Sequence, residues 1–142
     1  MKCVRLWALI LLVFLGAGGI YGGIHLIAHP YENQWGLMPL SLLQYSPFHS
    51  YLIPGILLLV SNGLLPIWIY FRVKRGQPLY GLWTALQGCV LFGWLAVECL
   101  MLRVMAWPHL FYFSIALLLM VFGFLMNRTA AHGAPPHLVN QG

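Results

Sequence analysis

Residues 6–28 read LWALILLVFLGAGGIYGGIHLIA, an apolar run without a Lys, Arg, Asp or Glu. A helix rises about 1.5 Å per residue, so ~20 such residues cover the ~30 Å hydrocarbon core of a bilayer. A signal peptide is the competing reading, because Lys2 and Arg5 give a basic start and Gly16, Ala17 and Gly18 are small. The run continues through Ile20 and Ile24 to Ala28, beyond the ~7–15 apolar residues of a signal core, so a retained first helix is expected.

Three further runs of spanning length follow, at 51–71, 79–102 and 110–126. Composition agrees: 61% of the 142 residues are hydrophobic, 6% are charged, and the mean hydropathy is +0.84. Soluble domains carry about 25% charged residues, so lipid must cover most of this surface. The expected fold is an all-α membrane protein, a four-transmembrane-helix bundle forming one domain over 1–128. Residues 129–142, with Gly133, Pro135 and Pro136, should be a disordered tail. The connection 29–50 holds Leu37, Leu40, Leu42, Leu43 and Phe48, and is expected to lie on the membrane surface with a short interfacial helix over 39–44. Ser46-Pro47 reads as a cap opening the second helix, and Pro54-Gly55 as a bend within it.

Orientation follows the basic residues. Lys2, Arg5, Arg72, Lys74, Arg75 and Arg128 fall on one side and Arg103 alone on the other. The positive-inside rule then puts both termini in the cytoplasm and the first connection outside, in a bacterial inner membrane. Since these charges punctuate apolar runs, they speak for membrane orientation and against nucleic acid as a partner. Cys89 and Cys99 lie about 15 Å apart along one helix, beyond disulfide reach.

The first helix carries two small-xxx-small pairs, Gly18 with Gly22 and Gly19 with Gly23, which let helices approach closely. Gly18, Gly22, His25 and His29 follow one stripe. In the third helix Gln87, Trp94 and Glu98 share an arc of roughly 40°. His25 and Glu98 both fall roughly 5–6 Å beneath the outer boundary and are expected to meet, with His29, Arg103 and His109 at the rim above. Glu98 reads either as a proton carrier or ligand anchor, as intramembrane carboxylates often are, or as a clip between helices. Asn62, midway through the second helix, reads as interhelical glue. Pro30 should end the helix between His29 and Glu32, so neither His25–His29 nor His29–Glu32 makes a dependable metal pair. No metal or haem cofactor is expected. Nor does any nucleophile–base constellation or phosphate loop point to an enzyme.

The order of Gly22-Gly23, His29-Pro30, Leu42-Leu43, Ser46-Pro47-Phe48, Leu52-Ile53-Pro54-Gly55, Gly63, the basic turn 72–75, and Gly88 with Trp94 and Glu98 resembles a group of uncharacterised small four-helix bacterial integral membrane proteins. The resemblance implies a four-helix bundle with an outer loop folded over it and transfers no activity. At the position of Glu98 such proteins often carry a neutral residue. The expected function is binding or accessory, with an outward-facing pocket between helices one and three for a lipid-like ligand or a membrane-protein partner. A small transporter or proton-coupled permease using Glu98, built as a homo-oligomer, is the rival. In a chain stripped of its native cysteines, Tyr45→Cys should label from outside and Gln77→Cys from inside; same-side labelling would refute this topology.

Overall fold

A computed structural model describes residues 2–31, 40–103 and 105–132. Among them all regular structure is helical: α1 (Lys2–Ala28), a 3₁₀ turn (Leu40–Leu43), α2 (Leu52–Arg75), α3 (Tyr80–Leu102) and α4 (Trp107–His132). Each of the four α-helices is long and apolar enough to cross a membrane. Successive helices run antiparallel. Gly16, Gly19 and Gly23 of α1 descend past Gly63, Asn62 and Leu59 of α2, and Gly81 and Gly88 of α3 meet Gly123 and Ala116 of α4.

Glycine sets these two seams. A Cβ at Gly19 would fall on the backbone of Asn62, one at Gly23 would come within 2.8 Å of the Leu59 Cα, and one at Gly81 within 2.8 Å of the Gly123 carbonyl. Such backbone approach raises dispersion contact where lipid tails leave no hydrophobic force between helices. The two pairs close on each other through large side chains. Leu12, Leu15, Ile69, Val73, Leu91, Leu95, Ile115 and Leu119 form one buried cluster. At the end of the bundle bearing the chain termini, Arg5 of α1 donates to the carbonyls of Val73 (2.6 Å) and Lys74 (2.9 Å). It thereby occupies acceptors that the end of α2 leaves open. Gly76 then turns the chain with φ 63°, and Gln77 N–H reaches the Arg72 carbonyl (3.0 Å).

Three local expectations are corrected. The helix does not open at Ser46. Its hydroxyl donates to the Leu43 carbonyl (2.9 Å) and accepts from Phe48 N–H (3.2 Å), so it builds a turn, and α2 begins at Leu52. Pro54 therefore sits in the first turn, where its missing donor leaves no helical bond unmade. The fourth helix starts at Trp107, before the expected 110, because Pro108 is likewise tolerated in a first turn and the His109 ring accepts from Ala106 N–H (3.1 Å). At its other end α4 continues through Thr129 to His132, into the stretch expected to be disordered. The rest of that tail lies outside the described residues, as do Glu32 and residues 33–39. A short helix was expected over 39–44, and the 3₁₀ turn Leu40–Leu43 falls within it.

The irregularity of α2 lies at Leu59–Leu64, which is π-helical. Pro66 explains it: the proline has no N–H and its ring pushes away the carbonyl four residues back, that of Asn62. Leu65 N–H bonds Val60 O, one residue further back than in an α-helix. Ser61 O thus loses Leu65 as donor, and the next candidate, Pro66, has none. Gln87 of α3 supplies the missing donor, its Nε2 lying 3.1 Å from Ser61 O and 3.3 Å from Asn62 Oδ1. Gln87→Leu should destabilise by about 1–2 kcal/mol, the cost of a buried carbonyl left without a donor. In a Pro66→Ala background, which restores the backbone donor, the same change should cost about 1 kcal/mol less. Additivity in a denaturant-titrated double-mutant cycle would break this link.

Candidate polar cavity between the first and third helices

α1 packs on α2 and α4, and α3 packs on the same two, so α1 and α3 face each other across the bundle. In the half that carries the first connection, the gap between them holds two adjoining cavities. The upper one, about 190 Å³, is bounded by Gly22 and His25 of α1, Pro54 and Leu58 of α2, and Trp94, Glu98 and Met101 of α3. Leu43 and Tyr51 of the connection close its top. The lower one, about 160 Å³, reaches Gly18, Asn62, Leu91 and Tyr112. Leu58, Trp94 and Glu98 line both, so the carboxylate stands on their common wall. The remaining walls are mainly aliphatic and aromatic.

Glycine makes this room. Gly18 and Gly22 were expected to pack helices as Gly19 and Gly23 do, but they face the cavities. The nearest group to a Cβ on Gly18 would be the Tyr112 hydroxyl at 3.4 Å, and to one on Gly22 a Leu58 methyl at 3.3 Å. Three of the four helices rise to enclose the upper cavity; α4 stops short. Tyr112 is level with Gly18, and Phe111 stacks edge-on against Phe14 at 5.9 Å. From Tyr112 to its start at Trp107, α4 adds about 7.5 Å, while from Gly18 to Ala28 α1 adds about 15 Å. The cavity therefore opens sideways above the start of α4. Tyr21, 77% exposed, lines the upper cavity on this side, and Trp107, 78% exposed, begins α4.

The expected polar cluster divides in two. His25 and Glu98 line the upper cavity from opposite helices, whereas Gln87 and Asn62 bond each other about 16 Å below Glu98 along α3. Asn62 alone bridges the two groups, because it also lines the lower cavity. Of the expected rim, His109 lies near Glu98. Its Nδ1 accepts from Ala106 N–H, which leaves Nε2 to carry the proton of the neutral ring. The His29 ring lies tilted against His25 (5.3 Å), and His25 stacks on Tyr21 (6.2 Å), in a column along α1. Arg103 does not line the cavity. It ends α3 with φ 50° and lays its guanidinium over Tyr45 at 4.0 Å, pinning the connection that closes the top. Tyr51 N–H, bonded to Pro30 O (2.8 Å), fastens the same connection at its other end.

Tyr51, Leu43 and Tyr112 were not anticipated as lining residues. Their polar or aromatic character was legible, but their approach depends on turns and on the height of α4. Among the described residues no group of three or more His, Cys, Asp or Glu is placed to hold a metal ion.

A His25→Ala, Glu98→Ala double-mutant cycle should give coupling of about 0.5–1.5 kcal/mol, as for other intramembrane polar pairs. Strict additivity in detergent unfolding would mean that the two groups act independently.

Compared with protein-family models, with curated proteins and with solved structures, the chain matches none, so the resemblance read from its motifs gains no support there and function must be argued from these cavities.

Proposed function

We propose that the chain is a membrane-embedded binding or accessory protein, whose cavities between α1 and α3 hold a lipid-like ligand, with Glu98 and His25 meeting its polar group. The observation that carries this reading is the place of Glu98. The only carboxylate among the described residues lines both of two mainly apolar cavities, the upper of which opens sideways above the start of α4. Small-molecule sites have this composition, apolar walls with a few placed polar groups. In this reading the connection 29–50 is extracytoplasmic, both termini are cytoplasmic and the membrane is a bacterial inner membrane; the distribution of basic residues supports the orientation.

The same carboxylate favours a second reading, proton-coupled transport. Against it, the half of the bundle toward the chain termini is closed by Leu12, Ile69, Val73 and Leu119, with the Asn62–Gln87 pair above them. A path would have to run between copies.

Native mass spectrometry of gently solubilised protein tests the first reading. The wild-type chain should carry a lipid-like adduct, and Gly22→Phe, which projects a ring into the upper cavity, should lose it while unfolding within a few degrees of wild type. A wild-type protein that stays bare as the lipid-to-detergent ratio is raised would overturn the reading. Proton flux in vesicles that Glu98→Gln abolishes would establish the rival.

A further inference from the structure

At the end of the bundle opposite the cavities, a hollow of about 430 Å³ is lined by Trp68, Phe71, Arg72, Arg75 and Gln77. Arg72 is held there by three contacts. Its guanidinium lies over Trp68 at 4.7 Å and faces Trp83 at 5.8 Å, and one Nη donates to the Pro78 carbonyl at 3.3 Å. Its Nε is buried without a hydrogen-bond acceptor among the described residues. A guanidinium carries five N–H donors in a planar fork, so most of its capacity is unused by the protein. Arg75, whose guanidinium lies 6.0 Å from the Phe71 ring, adds a second fork to the same hollow. Charge is unbalanced at this end. The chain has 7 Lys and Arg against 2 Asp and Glu, and the one described carboxylate, Glu98, belongs to the other end.

We infer that this hollow is a binding site for the phosphate of an anionic phospholipid headgroup, with Arg72 and Arg75 as its ligands and the Trp68 and Phe71 rings against the adjoining glycerol and acyl carbons. The chemistry fits at each point. Arginine forks pair with phosphate oxygens bidentately. Contact with two mutually perpendicular indoles, Trp68 and Trp83, holds Arg72 in place before the ligand arrives, which lowers the ordering cost of binding. Aromatic residues at a helix end sit at headgroup depth, where anionic lipid is the abundant counter-ion for basic side chains. Arg5, by contrast, is engaged by backbone carbonyls, and Lys74 lies over Tyr70 outside the hollow.

Titration of short-chain phosphatidylglycerol into the detergent-solubilised protein, with phosphatidylcholine as reference, tests the assignment. The wild type should prefer the anionic lipid. Arg72→Lys keeps the charge but removes the fork and the stack, and should raise the apparent Kd about five-fold; Arg75→Gln, on an exposed side chain, should do the same. Lys74→Gln, a loss of equal charge at the same end, should change it less than two-fold. Equal effects of all three variants, or none, would reduce the preference to diffuse charge and overturn the site. Excess inorganic phosphate should leave the lipid bound; displacement would assign the hollow to soluble phosphate compounds and overturn the lipid assignment. Gly22→Phe, which blocks the cavity at the other end, should leave this titration unchanged, so the two readings fail separately.

Discussion

A backbone carbonyl in hydrocarbon has no water to turn to, and an unmade bond there costs several kcal/mol. Pro66 creates that problem in the middle of α2, and the arrangement around it is the solution. The π segment Leu59–Leu64 shifts the ladder by one residue, Ser61 O is left over, and Gln87 comes across from α3 to meet it. That bond fixes the height of α3 against α2. It also joins the two glycine-sealed pairs at their centre, where a polar contact is hardest to replace. Asn62 takes part through its side chain while its backbone lies against Gly19, so α1, α2 and α3 are all referenced to one turn of helix.

From that turn the two halves of the bundle diverge. Toward the chain termini, large aliphatic side chains fill the space between the helix pairs, and Arg5 fastens α1 to the end of α2. Toward the first connection, small residues take over on α1 at Gly18 and Gly22, and α4 ends early. The same residue type thus closes one face of α1 and hollows another. Gly19 and Gly23 admit the α2 backbone, whereas Gly18 and Gly22, each one position earlier, line the cavities and meet only the tips of the Tyr112 and Leu58 side chains.

The spans were legible because length and apolarity alone decide them, and the short turn near Leu40 showed in its leucine pattern. The face of α1 that packs was not. In a lipid-embedded helix every face is apolar, so the two glycine pairs give the same signal, and only the position of α2 separates them. His25 and Glu98 could be brought to one level by counting residues from helix ends. Their separation from Gln87 and Asn62 could be counted too, but the tie to Ser61 O required knowing that Pro66 opens the helix before it. Ser46 was read as a helix start but builds a turn, whereas Pro54, read as a bend, sits in a first turn; which role such a residue takes depends on where the neighbouring helices end.

The early end of α4 changes what concentration means for this protein. On the proposed binding role, a molecule reaching the cavity above Trp107 arrives along the plane of the membrane, so its supply is its mole fraction in the lipid and owes little to its solubility in water. A sparingly soluble compound can then be abundant at the opening. Added detergent thins the supply as surely as dilution does in solution, so occupancy after extraction records the ratio of lipid to detergent as well as the strength of the contacts.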